Sequence, residues 1–498
     1  MKSKKKASNI LEGKAKVEPN LLLGMSMRFE YFSKKKTFYY FLTLIIVMAI
    51  TLFGTYIGPN IQLFQTTEHK INYSSENERS FVDQIQGLQS MNKPLGGFIV
   101  FRNSLRETIS GKMTFDVEIS GNSDKTINQH TVWKTLTVSK RKREIKCYSR
   151  SNCTSIRLLH ESKIRYRNYR IVVKFKQEFK IDFSDQVYFQ FQYHSSGWTI
   201  FELIFRYLFL LVSCFLTFLF TNFTKSIPWK SYLFEQKWIF VLLFCLVFYN
   251  NPLSPLSLIS RSASSDIIDV FCSLTFISFI FLYILCVLDA TGKSKSSRQT
   301  IKFYLPKIIL IIVPFFLVLI LYVADRINRK DDLQFFTYYD FPHLQTIAIV
   351  LIIFLLIYIF FVLYLIISSC TRVAADDRNK KRLNFYLSNV LLMLISFLII
   401  FISSASDKVK NTPLHYLSNY IIFNTFIIFL TYGYLPSKDY LRKIKRLQIS
   451  KLDLNVENDI NNNINKENIQ NVTFNLSNEF SNTDEIELDQ NIKSENEK

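Results

Sequence analysis

FEQKWIFVLLFCLVFYNNPLSPL, Phe234 to Leu256, is the stretch that decides the architecture. Glu235, Gln236 and Lys237 are polar and are expected in water or among lipid headgroups. Trp238 is an amphipathic ring of the kind that settles at a membrane interface. Ile239 to Phe248 carries no charge and is too apolar for a soluble surface. The run then meets Asn250-Asn251-Pro252, where proline removes a backbone donor and disfavours helix at Asn251. This is the pattern of a membrane helix that starts at one aqueous face and breaks near the other. Comparable runs on both sides make the chain a polytopic α-helical membrane protein.

Composition agrees. Of 498 residues, 49% are hydrophobic and 15% aromatic, with 47 Phe and 26 Tyr, more than a soluble protein of this size can hide. The formal charge of +21 is first a matter of topology. No nucleic-acid motif accompanies it, so no nucleic-acid partner is expected. Of the seven cysteines, Cys214, Cys245, Cys272, Cys286 and Cys370 lie in apolar runs, where a thiol is a small hydrophobe. Cys147 and Cys153 lie in a polar segment.

Residues 1–36 are basic and end in Lys34-Lys35-Lys36. Residues 37–57 are apolar and long enough for the roughly 30 Å hydrocarbon core. Gly58-Pro59-Asn60 is a poor cleavage site, so an uncleaved first helix with cytoplasmic lysines is expected. Residues 58–198 are the one sizeable soluble domain between membrane runs. Its period is two: Met113, Phe115, Val117 and Ile119 alternate with polar partners, as do Val187, Phe189, Phe191 and Tyr193. Seven or eight such strands predict a β-sandwich. Asn72 and Asn152 open glycosylation triplets. Cys147 and Cys153 are close enough to bridge in an oxidising compartment, the alternative being two free thiols. The basic run Lys140 to Arg143 either receives an acidic partner or is a solvated hairpin tip.

Residues 199–434 hold apolar runs at 199–221, 238–257, 267–288, 304–324, 345–369, 384–404 and 416–434, a bundle of seven after the first helix. With a cytoplasmic N-terminus, cations in the inside segments clearly outnumber Arg261, Arg326, Arg329, Lys330, Lys408 and Lys410 outside, as the positive-inside rule requires. Both termini are then cytoplasmic and the β-domain lumenal or extracellular. Residues 435–498 are rich in Asn, Glu, Asp, Ser and Lys, and read as a disordered tail.

Glu202 and Arg206 stand four apart on one helical face at the outer end of the second span. They are either a gate or ligand anchor, or an ion pair that seats the helix under the soluble domain. The break at Asn250, Asn251 and Pro252 lines a cavity or merely ends a helix. Pro306 reads as a helix start. Asn384, Asn389 and Asn424 are expected to bond between helices. His-x-x-x-His, Cys-x-x-Cys, a Walker loop and paired catalytic aspartates are all missing from the sequence. No metal, cofactor or enzymatic activity is therefore expected.

Several of these motifs together resemble the transmembrane protein 181 family, within a Wntless-like group that pairs a lumenal GOLD-type β-sandwich with seven membrane helices. The resemblance rests on Met27-Arg28 and Ser33-Lys34; Gly58-Pro59; Glu202 and Arg206; Glu235-Gln236-Lys237-Trp238; and Tyr249-Asn250, Pro252 and Pro255-Leu256-Ser257. Phe303-Tyr304-Leu305-Pro306-Lys307, Asn424 and Pro436-Ser437-Lys438 extend it. It covers residues 27 to 440 and is thinnest over the β-domain, where mainly the cysteine pair persists. It implies a receptor or cargo carrier of the Golgi, endosome and plasma-membrane system. Partners implied are a secreted or lipid-modified protein on the sandwich, a membrane lipid or acyl chain in the bundle, and a bacterial toxin. Ligand-binding residues are expected to be Glu202, Arg206, Asn250, Asn251, Pro252 and Asn424. The alternative is a signalling receptor like those coupled to G proteins. The third bundle helix, however, ends Cys286-Val-Leu-Asp289 without Asp-Arg-Tyr, and the last lacks Asn-Pro-x-x-Tyr. A bundle that opens sideways to lipid favours the carrier; a closed outer pocket with an inner cleft favours signalling.

Overall fold

Alternation of period two becomes eight strands in the computed structural model: β1 Gln62–Lys70, β2 Glu78–Ile85, β3 Leu95–Phe101, β4 Ile109–Asn122, β5 Lys134–Cys147, β6 Ile156–Glu161, β7 Asn168–Lys176 and β8 Gln186–His194. They form two four-stranded sheets, β1-β8-β3-β6 and β2-β7-β4-β5, antiparallel throughout. One face of each sheet is apolar, so the two close on each other. Met113, Phe115, Val117 and Ile119 of β4 are buried in one core with Ile171, Val173 and Phe175 of β7 and Val187, Phe189 and Phe191 of β8. Each large apolar side chain removed from water there contributes about 1.5–3 kcal/mol. The structure describes residues 27–70, 78–104, 106–125, 131–176, 186–225, 227, 229, 232–256, 264–291, 293–298, 300–331, 333, 343–373, 377–404, 411–437, 439–442 and 446. Asn72, residues 1–26 and nearly all of the tail lie outside these.

The helices are α1 Lys34–Tyr56, α2 Ser196–Thr224, α3 Phe234–Tyr249, α4 Ser264–Ala290, α5 Ile301–Asp331, α6 Leu344–Val373, α7 Asp377–Ser404 and α8 Pro413–Tyr434. Six of them (α1, α2, α4, α5, α6 and α8) are long and apolar enough to cross a membrane. The chain is thus an integral, multi-pass membrane protein. At 16 residues, α3 rises only about 24 Å. Met27–Asn222 and Tyr232–Leu435 form one compact unit that holds both sandwich and bundle. In the other unit Ile227 N–H donates to Thr224 O, and Tyr440 N–H donates to Ser437 Oγ at the start of a short helical stretch over 439–442.

Within the larger unit α8 is buried around its circumference, as befits a central helix. It is flanked by α1, α3 and α7, while α4 is flanked by α3, α5 and α6. Ser33 caps α1 by accepting from Lys36 N–H. Tyr40 then ties α1 inward, its hydroxyl donating to Asn389 Oδ1 at 3.1 Å and Phe429 O at 2.8 Å. Ile50 and Phe53 of α1, Leu211 and Phe215 of α2, and Phe360 and Ile367 of α6 point outward uncovered, a surface that hydrocarbon would solvate.

Several expectations are corrected. Gln236 is not in water. It is fully buried; its Oε1 accepts from Leu233 N–H and its Nε2 donates to Tyr434 O, so the side chain caps α3 and ties it to α8. Beside it, Trp238 is partly buried against Cys286, Ala290 and Phe303. The third apolar run is helical over 234–249, not 238–257, because Asn251 adopts a φ of 44° that ends the helix. Lys140 to Arg143 occupy the middle of edge strand β5, opposite Asp116 to Met113, not a hairpin tip. Lysines on an edge strand keep other strands from pairing with it. Pro306 lies a full turn inside α5 rather than at its start. Asn384 is exposed, whereas Asn389 and Asn424 do bond between helices.

Candidate functional site: a charged cavity at the sandwich end of the bundle

β8 runs into α2 with only Ser195 between them. Ser195 Oγ accepts from Trp198 N–H at 3.0 Å, and Thr199 Oγ1 donates to Met91 O at 2.7 Å, so the first turn of α2 is pinned to the sandwich. Seven residues on, Arg206 pairs with Glu202 at 2.9 Å and with Asp269 of α4 at 3.1 Å. Asn251 Nδ2 donates to the same Asp269 Oδ1 at 2.7 Å. The positive φ that stops α3 is what turns Asn251 toward α4. These groups line a cavity of about 130 Å³ together with Lys93 and His194 of the sandwich, Ser254 and Asp266.

Aromatic rings pack beside Arg206, behind the cavity lining. Tyr249 stacks on Tyr420 at 5.1 Å and on Phe276 at 4.5 Å, and Arg206 lies 5.8 Å above the Tyr420 ring. Beneath them Asn250 and Asn424 exchange amide hydrogen bonds at 3.0 and 3.1 Å. Asn250 also donates to Phe209 O and Ser213 Oγ. Thus Glu202, Arg206 and Asn251 line the cavity, Asn250 and Asn424 are a buried clasp joining α2, α3 and α8, and Pro252 contributes only its carbonyl, which accepts from the Tyr207 hydroxyl.

Sequence reading missed the rest. Lys163 reaches from the sandwich to Ser265 Oγ at 2.7 Å and Asp266 at 3.5 Å, and Arg326 of α5 lies 3.9 Å from Asp266. Just past α5, Leu333 is buried in the sandwich core and its carbonyl accepts from His160 N–H of β6. Asp266 and Asp269, three apart at the start of α4, were the available signal, being carboxylates at a span end like Glu202. The network satisfies Arg206 on both sides, with Glu202 of α2 and Asp269 of α4. Among the described residues no cluster of His, Cys, Asp and Glu could hold a metal ion.

Burial, and then the Lys93 charge, push the His194 imidazole down to about 4. Burial also pulls the Lys93 ammonium below its ordinary range, against the attraction of Asp266. Around His194 stand Lys93, Glu202, Arg206, Asp266 and Asp269, with the Tyr416 ring of α8 at 6.2 Å. Below the ordinary histidine value of about 6.5 an unfolded chain takes up a proton that folded His194 refuses. Stability is therefore lost as pH falls from about 6.5 toward 4. We expect a loss of about 2 kcal/mol between pH 7 and pH 5, read as a lower melting temperature of the solubilised protein and absent in His194→Gln. An unchanged pH profile in that variant would assign the acid sensitivity elsewhere.

Two further features lie along the bundle. Between α4, α5 and α6 runs an apolar groove of about 230 Å³, lined by Ile277, Phe281, Pro314, Phe315, Val318 and Phe354 among others; its rim is tied by the Tyr358 hydroxyl donating to Phe281 O. At the end away from the sandwich, Asp289 receives Lys293 at 2.6 Å, Lys307 at 2.7 Å and Arg372 at 3.6 Å. A cleft of about 40 Å³ beside Arg298, Arg382 and Tyr386 has room for only a few waters.

Comparison with known proteins accords with this layout. Residues 195–438 match the Wntless-like transmembrane domain and residues 95–194 the TMEM181 GOLD domain. Human (Homo sapiens) transmembrane protein 181 is 24% identical over 437 residues, spanning 83% of this chain and 88% of that protein. With a GOLD sandwich leading directly into a Wntless-like bundle, the chain belongs to the transmembrane protein 181 family.

Proposed function

We propose that this chain is a non-enzymatic receptor or carrier of the secretory and endomembrane system, which takes an acyl chain into its bundle and a protein ligand on its sandwich. The observation that carries the reading is the apolar groove between α4, α5 and α6. It lies at the middle of three helices long enough to cross a membrane, where hydrocarbon is the solvent. A membrane-embedded groove lined almost wholly by apolar side chains selects a hydrocarbon chain by the same burial that drives folding. The groove opens between helices, which favours a carrier over a receptor that signals through an inner cleft.

The same reading uses all eight helices as spans, α1 plus a bundle of seven. α3 packs on α4 and α8 and leaves Phe244 and Phe248 uncovered; local thinning of the bilayer meets its shortfall in length, and Asn250 finds protein partners where the helix ends. Lys34 to Lys36, Lys293, Lys302, Arg372 and Lys380 to Arg382 gather at the end away from the sandwich, which argues for that end being cytoplasmic and for an exoplasmic sandwich.

The test is photolabelling of the full chain in lipid nanodiscs with a diazirine-bearing fatty acyl probe. Label is expected on α4, α5 and α6. Ile277→Trp and Val318→Trp, which fill the groove, are each expected to lower labelling roughly fivefold, the equivalent of about 1 kcal/mol. Labelling that is unchanged by both substitutions, or that spreads evenly over all helices, overturns the acyl-chain reading.

A further inference from the structure

Asn152 opens the triplet Asn152-Cys153-Thr154, and its side chain is exposed. Everything else in the triplet is tied down. Cys153 is bonded to Cys147, and both sulfurs lie in the sandwich core. Cys153 N–H donates to Phe101 O at 2.8 Å and Thr154 N–H to Lys146 O at 2.8 Å. The Thr154 hydroxyl accepts from Lys146 N–H at 3.1 Å. Residues 151–153 are further held against the end of β3 by the Arg102–Asn152 bridge and by Asn103 N–H donating to Ser151 O.

A glycosylation triplet is read through the hydroxyl two residues after the asparagine, on a chain free to leave the protein surface. Here the hydroxyl already accepts a backbone hydrogen bond from Lys146, and the middle residue is covalently fixed to the core. Asn152 is visible in the folded sandwich, yet the triplet cannot be lifted off it while the bridge is closed. The reverse order meets no obstacle, because a glycan on an exposed amide leaves both thiols free to approach.

We propose that Asn152 is an N-glycosylation site whose use is decided by the order of two covalent events: the glycan is accepted only before the Cys147–Cys153 bridge closes. In the first event the Asn152 amide nitrogen bonds to the anomeric carbon of a lipid-linked oligosaccharyl diphosphate. The diphosphate leaves with the electron pair, and the amide gives up one proton. In the second, the two thiols lose two protons and pass two electrons to a protein disulfide, which is reduced to a dithiol. Five residues separate the cysteines, a loop short enough to close soon after Cys153 is made. The two events therefore compete within each newly made chain, and the product is a mixture. This inference rests on the exoplasmic placement of the sandwich.

The experiment expresses the full chain in cells with a glycosylating secretory pathway. Occupancy of Asn152 is read by mass spectrometry after enzymatic glycan release in heavy-oxygen water. Cys147→Ser leaves the triplet intact but removes the bridge, and is expected to raise occupancy several-fold over the unaltered chain. A thiol reductant present only during synthesis is expected to do the same without any substitution, so a folding defect of the variant does not decide the result. His130→Thr creates a further triplet at Asn128, with no cysteine in it, as a control for compartment. Equal occupancy with and without the bridge overturns the proposal and leaves the placement standing. An unmodified Asn128 in the control removes the exoplasmic placement and the proposal with it.

Discussion

Replacing Asp289 by Asn is expected to destabilise the helix bundle by about 3–5 kcal/mol, the range for removing one partner of a buried ion pair. Lys307 is the reason. Its side chain is only 1% exposed and its ammonium lies 2.7 Å from Asp289 Oδ2; its other contacts are the Phe303 carbonyl and the face of the Phe303 ring at 3.7 Å. Lys293 and Arg372 converge on the opposite carboxylate oxygen, so neutralising Asp289 leaves three cations around an uncharged amide. Arg372 and Lys293 retain some water, and Arg372 keeps the carbonyls of Asp289 and Thr291. Lys307 is out of reach of water and keeps only the Phe303 carbonyl and ring. Denaturant unfolding of the full chain in a fixed detergent measures the loss. Lys307→Met added to Asp289→Asn is expected to recover most of it, a coupling that a double-mutant cycle isolates. A single-variant loss under about 1 kcal/mol, or no recovery in the double variant, would show that Lys307 is compensated elsewhere.

Arg206→Met carries the second large effect, a loss of about 2–3 kcal/mol. Without the guanidinium, Glu202 and Asp269 face each other across the cavity with only the Asn251 amide between α3 and α4. Their side chains are about one-third exposed, which is why the loss is set below that at Asp289: water screens part of the repulsion. Arg206→Lys keeps the charge but not the fork that reaches two carboxylates, and is expected to retain about half of the stability. If Arg206 is a seat, the loss appears as loosening of the sandwich, read as faster protease cleavage near the start of α2, with acyl-probe labelling of the groove unchanged. If labelling falls while cleavage does not, Arg206 anchors ligand and the seat is refuted.

Which features were legible beforehand follows from the range of the interactions involved. Met113, Phe115, Val117 and Ile119 announced a buried sheet face because a strand exposes alternate residues to one environment. The apolar runs announced membrane helices because hydrocarbon tolerates no unpaired backbone. Both signals are local and repeat along the chain. Glu202 and Arg206 were legible as a pair because a helix places residues four apart together. Asp269 as their third member was not, since nothing in residues 202–206 reports on a carboxylate 63 positions away. Gln236 misled for a related reason. Polarity argued for water, but a capped helix end and the Tyr434 carbonyl satisfied the amide inside the protein, and a buried polar group needs partners rather than solvent.

By itself the sequence determined a β-sandwich joined to a set of membrane helices, because solvation acts on each residue where it stands. Tertiary structure alone decided that Asn250 meets Asn424, that Lys163 and Arg326 share Asp266, and that Asp289 neutralises Lys307. Those pairings join residues far apart in the chain, and only the packed arrangement of helices brings them within hydrogen-bonding distance.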